Sequence, residues 1–224
     1  MSRLGKFGLA LVVVAQGVVF AQEKSVEDSY LQQPIEMMII REQANTNDRE
    51  SKILALEYVR QSLENGDSNV ELRNVLHDLA LEGTLNKVRE EGRNASNNFP
   101  DIRIKAVAYL GQIKTEEAAN SLVKVILIDP EPSVVAEAIN SLKKIGLNSN
   151  DETVEAICYV FNRYDSRMPN NIVAYSVVGA LDAFTKSGSK NPIIFKTLLS
   201  ISTSANYTKL VRDSATQKLA QFHK

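Results

Sequence analysis

The sequence has little cysteine, proline, glycine or aromatic residue, and these shortages limit the possible folds. Of its 224 residues, one is cysteine, six are proline, ten are glycine and none is tryptophan. Because Cys158 is the only cysteine, an intramolecular disulfide is excluded. Aromatic residues make up 6% of the chain and hydrophobic residues 44%. This composition favours helices packed through aliphatic side chains over a β-sandwich.

Charge of one sign is also lacking, since the formal net charge is −1. A domain that binds nucleic acid normally carries a clear basic excess, so the charge balance argues against that class of partner. No glycine-rich phosphate loop, nucleophile elbow or metalloprotease motif is present. The two histidines, His77 and His223, do not have the spacing of a zinc site. The sequence therefore predicts a protein without catalytic residues, cofactor or metal.

The first residues have the pattern of a secretory signal peptide. Two basic residues precede an apolar stretch over 7–20, and Val19-Phe20-Ala21 places small residues at the −3 and −1 positions of a cleavage site. The stretch is shorter than the roughly 20 residues that a membrane span needs. We expect cleavage after residue 21 and export, most simply to a bacterial periplasm because only one cysteine is present. An uncleaved N-terminal anchor is the alternative.

A four-residue apolar stripe recurs four times along the chain. Its members are spaced i, i+4, i+8, i+11, which follows one face of an α-helix, and successive sets lie 32, 39 and 38 residues apart. A period of this length indicates a helical solenoid. The four sets are Ile102, Ala106, Leu110, Ile113; Val134, Ala138, Leu142, Ile145; Val173, Val177, Leu181, Phe184; and Val211, Ala215, Leu219, Phe222.

The stripe and the turn signals between its copies predict pairs of helices over residues 49–224. The helices that carry the stripe are predicted at 101–113, 131–146, 169–186 and 207–222. The second helices are predicted at 115–128, 150–163 and 191–203, and an earlier degenerate pair at 49–63 and 68–81.

Two segments fall outside this repeat pattern. Residues 22–48 are predicted to form a polar tether and a short capping helix from Pro34 to Arg41, which would cover the open end of the array. Residues 83–100 form a longer connection, for which a short helix at 85–91 and an exposed loop both remain open.

Residues Pro100–Ile113, followed by 117–126 and by Glu131–Gly146, resemble the HEAT-repeat family, in particular the bacterial HEAT-like type of phycobilin lyases. The resemblance implies an all-α, right-handed α-solenoid of about four to five helix pairs, with the second helices lining the concave face. The family often has an arginine after the first stripe residue, which pairs with an aspartate of a neighbouring repeat. Arg103 and Arg212 keep it, but Val135 and Ala174 do not. A continuous ladder is therefore not expected.

Alignment of the second helices by their apolar residues predicts two core rows. One row is Val75, Leu122, Ile157, Leu198, and the other is Leu76, Val123, Cys158, Leu199. The alignment places the cysteine among aliphatic residues, which favours a buried hydrophobe over a reactive thiol. It also predicts a polar ribbon on the inner, concave surface of the array, formed by Arg73, Asn120, Glu155, Lys196 and, four residues on, by His77, Lys124, Tyr159, Ser200.

These features predict an exported, non-catalytic scaffold or adaptor that binds a protein or peptide on its concave face, through the ribbon. Two alternatives remain. The resemblance to phycobilin lyases allows a lyase or chaperone for attachment of a chromophore or cofactor. Some HEAT-like proteins bind nucleic acid, which would require a basic concave stripe.

Overall fold

The structure is a computed structural model that describes residues 26–85 and 97–221, with side chains from residue 35 onward. The predicted signal peptide, most of the 83–100 connection, Phe222 and His223 lie outside the described residues. Within the described ranges the fold is all-α, with ten α-helices. They are α1 Val26–Asn45, α2 Arg49–Glu64, α3 Val70–Leu81, α4 Pro100–Leu110, α5 Glu116–Ile128, α6 Pro132–Ile145, α7 Glu152–Arg167, α8 Asn171–Lys186, α9 Pro192–Thr203 and α10 Lys209–Leu219.

The helices form two layers, as expected for a solenoid. The first layer contains α2, α4, α6, α8 and α10, each in contact with the next, and the second contains α1, α3, α5, α7 and α9 in the same manner. Four complete pairs, α2–α3 to α8–α9, are flanked by a single helix at each end. The predicted helix pairs and the α-solenoid architecture are therefore confirmed.

Local sequence signals explain where the helices begin and end. The side chains of Asp48, Asn69, Thr115, Asn170 and Asn191 accept hydrogen bonds from backbone N–H groups of the first turns of α2, α3, α5, α8 and α9. Proline occupies the first turn of α4, α6 and α9. Helix α6 ends at Ile145 and is followed by Gly146, whose φ of 75° is readily adopted by glycine.

The recurring stripe forms the core between the layers. All four members of the stripe in α4, α6 and α8 and their following turns are buried, and so are Val211 and Ala215 of α10. Leu219 is half-buried at the end of the array. In α2 the positions of Ser51 and Ser62 are half-buried, whereas Ala55 and Val59 are buried. Helix α2 is therefore the degenerate member of the first layer, as the sequence indicates.

Helix α1 is longer than the capping helix that the sequence predicts. It begins at Val26, eight residues before Pro34, and it packs against both α2 and α3. The apolar residues Met37, Ile40 and Ala44 are buried there, whereas Met38 remains exposed. Helix α1 thus occupies the place of a second-layer helix and covers the first end of the array.

A buried ion pair joins α4 to the end of α5. Arg103 Nε donates to Asp129 Oδ2 at 2.7 Å and Nη2 donates to Oδ1 at 3.3 Å. The third nitrogen, Nη1, donates to Asn98 Oδ1 at 2.7 Å and to the carbonyl of Glu82 at 3.3 Å. Because all three guanidinium nitrogens have acceptors, the fully buried side chain is compensated.

Helix α2 has an equivalent pair that the sequence pattern did not reveal. Lys52 follows Ser51, as Arg103 follows the first stripe residue of α4. Its Nζ lies 2.8 Å from Glu82 Oε1 and donates to the carbonyl of Ala44 at 2.7 Å. Glu82 follows α3, as Asp129 follows α5. Within the described residues the ladder of buried ion pairs therefore has two rungs, Lys52–Glu82 and Arg103–Asp129.

The ladder does not continue into the second half, as expected. Val135 and Ala174 stand at the equivalent positions of α6 and α8, and both are buried. Arg212 of α10 donates to the carbonyl of Tyr207 at 2.5 Å. In α6 and α8 an apolar residue therefore stands where α2 and α4 have a cation.

Candidate protein-binding surface

The second-layer helices share one burial pattern, which corrects the predicted register. In each of α3, α5, α7 and α9, four buried residues follow the spacing i, i+3, i+4, i+7. They are Leu72, Val75, Leu76, Leu79; Ala118, Ser121, Leu122, Val125; Val154, Ile157, Cys158, Phe161; and Ile194, Thr197, Leu198, Ile201. Cys158 is therefore equivalent to Leu76, Leu122 and Leu198. The sequence alignment had α5 and α9 displaced by one residue relative to α3 and α7.

The displacement arose because apolar residues also occur outside the core. Val123 is half-buried and Leu199 is 45% exposed, although the alignment by hydrophobicity placed both in a core row. Ser121 and Thr197 are buried polar residues at positions that the alignment assigned to aliphatic side chains. Hydrophobicity alone therefore selected the wrong neighbour in two of the four helices. The placement of Cys158 in the core is confirmed.

The eight residues of the predicted ribbon all lie on second-layer helices, away from the core. Five are exposed, namely Asn120, Lys124, Glu155, Tyr159 and Lys196. Three are half-buried, namely Arg73, His77 and Ser200. With the corrected register they no longer form two equivalent rows. Two of them, His77 and Tyr159, belong to another row that the sequence alignment missed, and the other six lie at different positions of the helices.

The new row consists of the residues that follow the central buried position of each helix, His77, Val123, Tyr159 and Leu199, and we refer to it as the Tyr159 row. Tyr159 and Leu199, on the neighbouring helices α7 and α9, are 60% and 45% exposed. Three polar residues, Asp78, Lys124 and Ser200, lie beside the row, each directly after one of its members in the sequence. The surface thus has an apolar and aromatic centre with polar residues beside it.

Polar contacts between neighbouring helices hold this surface in place. His77 Nδ1 lies 2.8 Å from Ser121 Oγ, which joins α3 to α5. Arg73 and Glu117 form a longer ion pair of 3.8 Å between the same helices. At the other end, Asn191 Nδ2 donates to Glu155 Oε1 at 3.3 Å. Side chains at the surface therefore join α3 to α5 and α7 to the start of α9.

Two ionisable side chains at or beneath this surface, His77 and Cys158, have shifted pKa values. Burial and the nearby charge of Lys124 lower the pKa of His77, so that its imidazole is neutral at pH 7. Its partner Ser121 is buried and donates its hydroxyl hydrogen to the carbonyl of Glu117 at 2.9 Å. Burial raises the pKa of the Cys158 thiol to about 11, although a hydrogen bond with Thr197 opposes the shift. A thiol with this pKa is a poor nucleophile at neutral pH.

The described residues contain no group of three or more His, Cys, Asp or Glu side chains that could hold a metal ion. None of the helices over 26–85 and 97–221 is both long and apolar enough to cross a bilayer.

Stacked helix pairs with a common core register define the protein as a helical-repeat scaffold. The family model for HEAT repeats matches residues 93–163, a span that contains α4, α5, α6 and most of α7. The chain thus contains HEAT repeats over residues 93–163. No curated protein matches it.

Proposed function

We propose that the protein is an exported, non-catalytic scaffold that binds a protein or peptide along the outer surface of α3, α5, α7 and α9. The observation that carries this proposal is the Tyr159 row. An exposed tyrosine and an exposed leucine occupy equivalent positions on adjacent helices, with charged and amide side chains around them.

The composition of the row suits an interface with another protein. Tyrosine is enriched at the energetically dominant positions of protein interfaces because it buries a large area with few rotatable bonds. Flanking residues such as Lys124 and Lys196 provide the polar rim that surrounds such a centre. The spacing of stacked helices also suits an extended partner, since one contact is repeated at each helix of the layer.

Residues 1–21 support export in this proposal. Their removal would take away two basic residues and no acidic one, leaving a net charge of −3 for the secreted chain. Mass spectrometry of protein recovered from the exported fraction tests this part. We expect an N-terminus at Gln22, and an intact Met1 on the recovered chain would contradict cleavage.

Site-specific photocrosslinking tests the binding surface. A photoreactive phenylalanine analogue would replace Tyr159 or Leu199, and Leu54 would serve as the control because it is an exposed leucine on α2 of the other layer. We expect the same crosslinked protein from positions 159 and 199 and none from position 54. Adducts of equal yield at all three positions, or none at 159 and 199, would refute the proposed surface.

A further inference from the structure

A charged cavity opens on the first layer, remote from the Tyr159 row. It has a volume of about 540 Å³ and lies between α6, α8 and α10. Lys143, Lys186 and Lys218 line it, one from each helix, and within the described residues Asp182 is its single acidic lining residue. The lining therefore carries a net charge of +2.

Two of the lysines contact the same carboxylate oxygen, so the cavity is suited to oxygen atoms that carry negative charge. Lys186 Nζ lies 2.8 Å and Lys218 Nζ 3.0 Å from the same oxygen, Asp182 Oδ2. Burial alone would raise the pKa of Asp182, but the hydrogen bonds from both lysines outweigh it and hold the pKa below its usual value. One carboxylate thus compensates one of the two ammonium charges.

The ammonium group of the third lysine, Lys143, lies near a glycine. Gly179 of α8 forms part of the cavity wall, and the Nζ of Lys143 would lie 3.7 Å from a Cβ atom at this glycine. No carboxylate of the described residues pairs with Lys143, whereas its neighbour Lys144 pairs with Glu137 at 3.4 Å. Lys143 therefore directs an uncompensated charge into the cavity.

Uncharged donors complete the lining. Tyr175, Ser176, Ser214 and Gln217, which carry hydroxyl or amide groups, also line the cavity. Ammonium and hydroxyl groups together provide many hydrogen-bond donors for oxygen atoms with negative charge.

We propose that this cavity binds a doubly charged oxyanion, with the chemistry of a phosphate group or of two adjacent carboxylates. Lys143 provides the primary contact, and Lys186 and Lys218 turn their remaining N–H groups towards the ligand while they keep Asp182. A ligand with two negative charges would balance the net charge of +2 in the lining. The inference is independent of the proposed partner surface, which lies on the other layer.

A titration followed by amide NMR shifts tests the proposal. Inorganic phosphate and succinate would be the probes, with acetate as a singly charged comparison, all at one low ionic strength because screening weakens such contacts. We expect saturable shifts around Gly179 and Ser176 with at least one of the two dianions and weaker binding of acetate. Saturation with phosphate alone identifies phosphate chemistry, and saturation with succinate alone identifies paired carboxylates.

Matched variants separate a built site from general attraction to positive charge. Lys143→Gln should raise the dissociation constant about tenfold, and Lys144→Gln, which removes the same charge one residue away, should change it less than about twofold. Asp182→Asn should tighten binding more than Asp213→Asn, which removes a carboxylate outside the cavity. Equal effects of the two lysine variants, equal binding of acetate, or shifts that never saturate would overturn the proposal.

Discussion

The guanidinium of Arg103 meets the carboxylate of Asp129 inside the helix stack, where the two side chains are 0% and 1% exposed. The same carboxylate also accepts the backbone N–H of Glu131 at 2.8 Å and so fixes the start of α6. The pair therefore connects three consecutive helices, because Arg103 is on α4 and Asp129 ends α5.

Replacement of Arg103 by alanine should strongly destabilise the protein. The substitution would leave Asp129 buried without its cation, and removal of one partner from a buried ion pair typically costs about 3–5 kcal/mol. Urea unfolding followed by circular dichroism measures the change. Arg49→Ala is the control, since Arg49 pairs with Asp101 at the exposed surface and should contribute much less. Equal losses for the two variants would show that the buried pair has no special role.

Gly111→Ala should destabilise the contact between α4 and α6. A Cβ atom at Gly111 would lie 2.6 Å from both Cβ and Oγ of Ser141, so the helices would have to move apart. Overpacking of this kind typically costs about 1–3 kcal/mol. The backbone at Gly111 has a φ of −64°, so strain of the main chain would not contribute.

A second glycine provides the control for this substitution. Gly179 lies inside α8, where an added Cβ would only reach Lys143 Nζ at 3.7 Å. Gly179→Ala should therefore raise the free energy of unfolding, by up to about 1 kcal/mol, through better helix propensity. Opposite signs for the two variants in thermal unfolding would support the close approach at Gly111, and two stabilised variants would contradict it.

Ser141→Ala should leave the protein as stable as before or stabilise it. The Ser141 hydroxyl oxygen is buried and has no hydrogen-bond partner among the described residues, a state that costs free energy. Alanine removes this group and also favours the helix, so we expect a gain of about 1 kcal/mol. A lower melting temperature for the variant would show that the hydroxyl has a stabilising role.

The stability should fall at alkaline pH, with Cys158 as one cause. Burial raises the pKa of its thiol to about 11, whereas a cysteine thiol in the unfolded chain has a pKa of about 8.5. Because the folded pKa is the higher one, the contribution to stability is complete below about pH 8.5 and is lost as the pH rises towards 11. Unfolding free energies at pH 8 and pH 10.5 measure the effect.

Cys158→Ala separates this contribution from that of the tyrosines. Burial also raises the pKa of Tyr164 and of Tyr207, so part of the alkaline loss should persist in the variant. We expect a smaller decline between pH 8 and pH 10.5 for Cys158→Ala than for the unchanged protein. An identical decline would indicate that the thiol is not protected in the fold.

Much of the fold could be predicted from the sequence because the stripe repeats at a nearly constant interval. Stripe residues such as Ala138 and Leu142 are buried as expected, and turn residues separate the helices where the sequence indicates. The ion pair between Lys52 and Glu82 was harder to predict. Lys52 is a long cationic side chain at a buried position, and the nearby Glu82 and the carbonyl of Ala44 make its burial tolerable.

The candidate surface was predicted less accurately, for a physical reason. A solenoid helix that touches neighbours on both sides buries polar residues such as Ser121 and Thr197 and exposes apolar ones such as Leu199. Hydrophobicity does not separate these cases, because burial is set by the position of the neighbouring helices. One residue of displacement was enough to hide the Tyr159 row.

Each of the two buried ion pairs lies within a single helix pair of the array. Lys52 and Glu82 belong to one helix pair, and Arg103 and Asp129 belong to the next, so each pair contains its own counter-charge. A fragment that is cut between α5 and α6 after Asp129 keeps both charges together. A cut between α4 and α5 would leave Arg103 without its acid. A duplication of α4–α5 as one block would therefore lengthen the solenoid without adding an unmatched charge to its interior.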